Sequence, residues 1–315
     1  MRNEREIEVY YPVVIIALMV EAAIIFHDQE ILFPEIAAIA IGALVSPQLS
    51  WKTSRIRILI SIMVAAICGM LIVAYVHLPV TYEMVLAYFI GQILLLSSET
   101  TFAPMISAIV LPVMLQTRSI NYLISAFVFT SLILIVHYFF EKKGLVEVKP
   151  VVFSSMWNKE KITIMLARTL LAFIGIVLAF RFGFKFAVAP PLLVAFTEFT
   201  NPQGKVRKKP MQAILLIFVC ALVASYSRYM LAMQLKMSLI IPVCVTSMFV
   251  IFMIATTKMY IPPAGAIGIL AFLIPEDAVI YYPLHVFVGI AMMMLLALVF
   301  FREEKIYAYK KEVKA

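Results

Sequence analysis

Residues 238–257 read SLIIPVCVTSMFVIFMIATT, an apolar run of the length, about 20 residues, that a helix needs to cross a bilayer. A second apolar run follows at 260–274 and reads YIPPAGAIGILAFLI. It is too short for an ordinary span, and Pro262 and Pro263 open it. Proline suits the first turn of a helix but disrupts a helix interior. We therefore predict a long helix, an extended entry and then a short half-helix.

The same alternation runs through the whole chain. Eight long apolar segments lie near 11–29, 56–76, 80–98, 119–140, 162–182, 210–235, 238–257 and 282–301. Four short ones lie near 31–46, 102–116, 186–200 and 260–274, and Pro34, Pro104, Pro190–Pro191 and Pro262–Pro263 open them. This pattern predicts eight long crossings and four short, broken ones.

The composition indicates a membrane protein. Of 315 residues, 64% are hydrophobic and 14% are charged, and the mean hydropathy is +1.02, whereas soluble domains have about 45–50% apolar and about 25% charged residues. We predict an all-α polytopic membrane protein. Single cysteines at 68, 220 and 244 favour neither a disulfide framework nor a zinc site.

The positive charges predict the topology. If all twelve segments cross and the N-terminus is cytoplasmic, 20 of the 26 Lys and Arg residues lie inside and five outside, with Arg168 inside a helix. If the short segments are re-entrant, the split is 14 to 11. The positive-inside rule favours the first arrangement. Both arrangements place the two termini in the cytoplasm, and we expect a bacterial plasma membrane.

An internal duplication is also predicted. The segments read long-short-long-long-short-long twice, and Ser46–Pro47–Gln48 matches Asn201–Pro202–Gln203. Cys68–Gly69 likewise matches Cys220–Ala221. We divide the chain into a first membrane repeat, 1–145, and a second, 146–315. Each half contains two sets of three crossings, and an odd number of crossings reverses the direction of the chain. An inverted repeat within each half is therefore left open. Transporters often have nested repeats with discontinuous helices.

The short segments direct attention to an anion site. Within each half they enter from opposite sides, so their N-termini would approach each other and offer N–H groups and positive dipole ends. Tight packing of kinked helices is the alternative. The residues expected to shape a substrate site are Thr100, Thr101, Pro104, Thr257, Pro262, Pro263 and Gly265, with Arg168 supplying a fixed positive charge.

Four further charged residues are candidates for coupling or gating. Glu35 and Glu198 lie in short segments, and buried ionisable groups in membranes are expensive and often functional. Either carboxyl is expected to carry protons, with a structural pair as the alternative. Glu99 and Lys258 precede the second short segment of each half, and a two-fold axis would join them in a salt bridge or gate.

The PPAGA sequence at 262–266, after a Thr-containing turn and with NPQGKVRKKP at 201–210, resembles the HPP family of integral membrane proteins. The resemblance covers about 186–301, and the first half follows only through the repeat. Ile261 stands where that family has the histidine of its motif. Plant plastid members are associated with nitrite transport, so the resemblance implies a transporter with an anionic substrate such as nitrite.

The expected function is therefore transport of a small anion, without a cofactor or a metal. No nucleophile–base pair, metal motif or nucleotide loop is present, so no enzymatic activity is expected. A non-transporting scaffold or partner subunit is the main alternative, and a lipid-handling protein is a weaker one. Membrane lipids are expected partners, nucleic acid is not, and a homo-oligomer is left open.

Overall fold

The computed structural model describes residues 10–146, 157–201, 204 and 206–301, and within them it has twelve α-helices and no β-strand. The helices are α1 Tyr11–Ile25, α2 Glu35–Ala40, α3 Arg55–Tyr75, α4 Val80–Ser97, α5 Pro104–Leu115, α6 Asn121–Lys142, α7 Lys159–Arg181, α8 Pro190–Phe199, α9 Pro210–Ser227, α10 Ile240–Thr257, α11 Pro262–Leu270 and α12 Tyr282–Phe300. A π-helical turn, Ile41–Val45, extends α2, and Arg228–Gln234 extends α9. The predicted all-helical class is confirmed.

Seven of these helices are long and apolar enough to cross a membrane. They are α3, α4, α6, α7, α9 with its extension, α10 and α12. Large apolar side chains on them, such as Leu170, Phe252 and Leu295, are exposed. Soluble monomers rarely leave wide apolar patches uncovered. Length, composition and outward apolar side chains together suggest a multi-pass membrane protein.

The first segment is shorter than predicted. Helix α1 has 15 residues, which gives a length of about 22 Å at 1.5 Å per residue, less than the hydrocarbon core of about 30 Å. The chain turns at His27, whose φ is 49°, and the Asp28 side chain then caps the 3₁₀ turn Gln29–Ile31. The prediction of eight long helices is thus corrected to seven within the described residues.

The four short segments form short helices, as predicted. Helices α5, α8 and α11 begin at Pro104, Pro190 and Pro262, and Pro34 precedes α2. Their lengths are 12, 10 and 9 residues, and α2 has 6 before its π-helical turn. At 1.5 Å per residue each of these helices covers about half of a bilayer core or less. Every residue of α2 and α11 is buried.

The short helices pack together in the centre of the molecule. Helix α2 packs on α11 and α5 packs on α8, while α2 also contacts α5 and α8 contacts α11. The longer helices surround the short helices and bury them. The outer helices pair in a corresponding way, with α4 on α7 and α10 on α1.

Two buried tyrosines, Tyr122 and Tyr282, make similar contacts. The Tyr122 hydroxyl donates to the Ala108 carbonyl at 2.9 Å, and the Tyr282 hydroxyl donates to the Ile267 carbonyl at 2.9 Å. Each tyrosine ring also packs edge to face on a phenylalanine ring. Tyr122 packs on Phe33, and Tyr282 packs on Phe186. Each bond thus fixes the start of a long helix to the middle of a short one.

Candidate functional site

A polar network joins α4, α7 and α8 around Arg168. The Arg168 Nε donates to Thr200 Oγ1 at 2.6 Å, and its Nη1 lies 3.5 Å from Gln92 Oε1. Gln92 Nε2 donates to Thr197 Oγ1 at 3.0 Å, and the Tyr88 hydroxyl lies 3.0 Å from the same oxygen. These five side chains are called the Arg168 network below. They place a guanidinium among neutral polar groups inside an apolar protein.

Helical spacing assembles the network. Tyr88 and Gln92 are four residues apart on α4 and therefore lie on one face. Thr197 donates its hydroxyl proton to the Leu193 carbonyl at 3.0 Å, and Thr200 donates to the Thr197 carbonyl at 2.7 Å. Because each threonine proton is used on the backbone, each threonine oxygen is left to accept. It follows that Tyr88 is the donor in its bond to Thr197.

The charge of Arg168 has no carboxylate partner in the part of the chain that the structure describes. The carbonyl end of α8 favours a cation, because a helix C-terminus carries partial negative charge. A guanidinium offers five N–H donors in a planar fork, and the network engages two of its nitrogens. Such a fork suits carboxylate-like and other oxyanions. The arrangement can therefore hold a small anion.

A small apolar pocket lies one helical turn further along α7. Leu171, Gly175, Phe196 and Met293 are among the side chains that line it, between α7, α8 and α12. It lies beside the Arg168 network, since Phe196 precedes Thr197 on α8. All of its lining side chains are apolar.

Glu35 lies where two short helices meet. It is the first residue of α2 and is 0% exposed. Its Oε1 accepts a hydrogen bond from the hydroxyl of Ser107 in the first turns of α5, whereas Oε2 has no hydrogen-bond partner among the described residues. The expected approach of short-helix N-termini is therefore found between α2 and α5. The acidic group at that position is a side chain of the protein itself, Glu35.

Glu198 is held by a different element. Trp51, in the loop after α2, donates from Nε1 to Glu198 Oε1 at 3.2 Å. The indole packs edge to face on Phe102 at 4.9 Å between ring centres. A Cβ at Gly42 would collide with the same indole ring, so only glycine allows this packing. Glu198 thus ties the end of α8 to the first half of the chain.

The three candidate threonines form hydrogen bonds to the backbone, two of them within a few residues and one to a distant loop. Thr101 Oγ1 accepts from the Lys52 backbone N–H at 2.9 Å, and Thr257 Oγ1 donates to the Met253 carbonyl at 2.6 Å. Thr100 is buried and accepts from the N–H two residues on at 3.3 Å. Thr101 and Thr257 are exposed. The structure does not bring these hydroxyls to Arg168.

The candidate prolines and glycine take part in helix packing. Pro104 and Pro262 occupy the first position of α5 and α11, Pro263 follows, and all three are buried. A Cβ on Gly265 would lie 3.1 Å from the Ala37 carbonyl oxygen and closer still to a side chain of the π-helical turn. The glycine therefore permits the close crossing of α11 and α2.

The expected contact between Glu99 and Lys258 is not formed among the described residues. Glu99 Oε2 instead lies 3.5 Å from Arg57 Nη1, and the same nitrogen donates to the Ser98 carbonyl at 2.7 Å. The end of α4 thus packs on the start of α3, and Arg57 is the cation that pairs with the Glu99 carboxylate. Glu99 and Lys258 do share a left-handed backbone, with φ values of 53° and 55°.

Several site residues escaped the sequence reasoning. Gln92 had the clearest signal in the sequence, because it is an amide within an apolar helix. Tyr88 lies on the same face of that helix. Thr197, Thr200 and Ser107 resemble ordinary helix residues until their partners are known. No group of three or more His, Cys, Asp or Glu side chains that could hold a metal ion occurs in the described ranges.

Comparisons with protein-family models, with curated proteins and with solved structures found no match.

Proposed function

We propose that this protein is an integral membrane transporter for a small anion and that Arg168 binds the anion. One observation carries the proposal: Arg168 lies within an apolar helix, and its described partners, Gln92 and Thr200, are neutral. An uncompensated cation in a membrane segment is expensive and usually marks a substrate or ion site. An anion bound at the guanidinium would supply the missing charge.

The central short helices support transport over a scaffold role. Broken helices place non-helical backbone inside the molecule, which membranes tolerate only within protein or beside a cavity. Transporters commonly use such discontinuous helices around their binding sites. Helix α8 and the residue that follows it contribute Thr197 and Thr200 to the Arg168 network, and α8 packs on both α5 and α11. Relative movement of these short helices would therefore alter the network directly.

We also propose that 1–145 and 146–315 form a tandem repeat related by a two-fold axis. The matching tyrosine bonds of Tyr122 and Tyr282 support it, as do the corresponding pairings of α2 with α11 and α5 with α8. A plasma-membrane location with both termini in the cytoplasm rests on the distribution of Lys and Arg. Membership of the HPP family remains a prediction from the resemblance.

The test is ligand-dependent stabilisation of the detergent-purified protein. Nitrite, nitrate, formate, sulfate and bicarbonate are screened against the wild type, Arg168→Gln and Arg168→Lys. A ligand that binds only the folded state stabilises it by about 2.7 kcal/mol at 100 times its Kd. We expect a saturable shift for at least one anion, none in Arg168→Gln, and a weaker one in Arg168→Lys, which keeps the charge but loses the fork.

The matched control is Arg118→Gln, because Arg118 is an exposed arginine outside the helices. It should bind the anion as the wild type does. Uptake of the same anion into proteoliposomes then separates transport from binding. A shift that survives in Arg168→Gln contradicts the site, and binding without any uptake favours the partner-subunit alternative.

A further inference from the structure

We propose that Glu35 binds and releases a proton inside the membrane and that this proton is the coupling ion of the transporter. The coupling role rests on the proposed function, whereas proton binding does not. In this step one H⁺ from water adds to Glu35 Oε2, and the carboxylate of charge −1 becomes a neutral acid. Release returns the proton to water from the same oxygen.

The surroundings of Glu35 favour a change of protonation state. The side chain is fully buried between α2 and α5, and Ser107 is its hydrogen-bond donor. In the described ranges no Lys or Arg forms an ion pair with it. A buried carboxylate without a cation is unfavourable, and a proton removes its charge. The unpartnered Oε2 is the atom that can take the proton.

A metal ion is a poor fit for the same place. Hard cations require about six or more oxygen ligands. Glu35 and Ser107 supply carboxylate and hydroxyl oxygens, whereas the neighbouring residues of α2, α5 and α11 present alkyl groups. One proton needs a single free oxygen, and Oε2 provides it.

Few other titratable groups surround Glu35. Tyr122 on α6 faces it and donates its own proton to the Ala108 carbonyl. Helices α5 and α11, which pack on α2, contain no titratable side chain. Helix α1 carries Tyr11 and Glu21, and α6 carries His137, Tyr138, Glu141 and Lys142 near its other end. Variants of Tyr122, Glu21 and His137 therefore form the control set.

The position of Glu35 connects it to the proposed anion site. Its partner Ser107 lies on α5, and α5 packs along α8. Helix α8 carries Thr197 of the Arg168 network, and Thr200 directly follows its last residue. Protonation at Glu35 changes the charge between α2 and α5, so these short helices are the elements through which the two sites would communicate.

The experiment is pH-difference infrared spectroscopy of the protein in phosphatidylcholine vesicles without any added anion. A protonated carboxyl has a C=O stretch distinct from that of a carboxylate. The other Asp and Glu carboxyls also give carboxylic acid bands as pH falls. In the wild type we expect one further band at its own frequency, because Glu35 is buried and accepts a hydrogen bond from Ser107. That band should be lost in Glu35→Gln, retained in Glu198→Gln, Glu21→Gln, Tyr122→Phe and His137→Gln, and shifted in Ser107→Ala, which removes the hydrogen bond to Oε1.

Two results would overturn the proton site: a wild-type spectrum without such a band, or a band that Glu35→Gln retains. Circular dichroism and gel filtration establish that each variant is folded. If Glu35→Gln does not fold, Glu35→Asp replaces it, because the shorter side chain cannot keep the Ser107 bond and must move the band. A band unmoved in Glu35→Asp would equally overturn the site.

Uptake assays separate this inference from the proposed function. Nitrite uptake into vesicles is measured with and without an inward proton gradient. Stimulation by the gradient in the wild type, lost in Glu35→Gln, supports coupling. Uptake without stimulation in the wild type refutes coupling and leaves the anion function intact. Absence of uptake of every anion in the panel refutes the proposed function and the coupling role, while the infrared result still decides proton binding.

Discussion

The Tyr122 hydroxyl replaces a hydrogen bond that Pro112 removes from α5. Pro112 lies inside this helix and has no N–H, so it cannot donate to the carbonyl of Ala108, four residues earlier. The Tyr122 hydroxyl donates to that carbonyl at 2.9 Å instead. Both residues are buried. Tyr122→Phe would leave the carbonyl without a donor, which costs about 1–3 kcal/mol in a buried site.

The free energy of unfolding is measured in mixed micelles with an increasing fraction of a denaturing detergent. We expect Pro112→Ala to be destabilising alone, because the Pro112 ring fills the space beside Gly69. It also supplies the missing N–H to the helix. Tyr122→Phe should then cost clearly less in the Pro112→Ala background than in the wild type, with a coupling energy of about 1 kcal/mol or more.

The matched control is Tyr75→Phe, because Tyr75 is 77% exposed. It should change stability by less than about 0.5 kcal/mol. If Tyr122→Phe costs the same in both backgrounds, within about 0.5 kcal/mol, the hydroxyl does not act as the substitute donor for Pro112.

Three further predictions concern packing, acid stability and topology. Gly265→Leu should destabilise the protein far more than a leucine at the exposed position Thr256, because its side chain would enter the backbone of α2; unfolding of both variants is the measurement. Burial raises the pKa of Asp28, but hydrogen bonds from Asn121, the Glu30 amide and Ser119 outweigh it and hold the pKa below its usual 3.8. The Asp28 contribution is therefore present above about pH 4 and is lost as pH falls through the lowered value, and Asn121→Ala should reduce this acid sensitivity of stability. A cysteine at His77, between α3 and α4, should react with a membrane-impermeant thiol reagent from outside intact cells, and reaction only after lysis would contradict the predicted orientation.

The sequence predicted local features well and long-range ones poorly. Proline restricts the backbone on its own, so Pro104 and Pro262 marked helix starts without any knowledge of tertiary contacts. The end of α1 depended on distant residues, because Asp28 accepts hydrogen bonds from Ser119 and Asn121, more than 90 positions away. An apolar run continues through Phe26 and gives no sign of that contact.

The candidate site shows the same contrast between local features, which the sequence predicted, and long-range contacts, which it did not. Arg168 stood out because a charge in an apolar segment is visible in the sequence. Its network did not, because Gln92 lies 76 positions away and the bond from Gln92 to Thr197 spans 105. The predicted contact between Glu99 and Lys258 rested on the proposed repeat alone. The two residues share a left-handed backbone conformation, but Glu99 pairs with Arg57 on the neighbouring helix instead.

The two halves differ where the proposed repeat makes them comparable, and the difference predicts one binding site per chain. Helix α4 packs on α7, and α10 packs on α1. Counting 159 positions from Tyr88 and Gln92, as from Glu99 to Lys258, gives Ser247 and Ile251 on α10. These residues line a small pocket with Ile16 of α1, and none of the three is charged.

One interface therefore holds a guanidinium, whereas its counterpart holds alkyl groups and two hydroxyls, those of Thr246 and Ser247, without a partner among the described residues. We therefore expect an anion to bind only at the interface of α4 and α7, where the guanidinium of Arg168 lies. Isothermal titration with the anion found in the stabilisation screen should give a stoichiometry of one per chain, and Arg168→Gln should remove all of the heat. A stoichiometry of two, or half of the heat remaining in Arg168→Gln, would mean that the second interface binds anions without an arginine, and the prediction of one site per chain would be wrong.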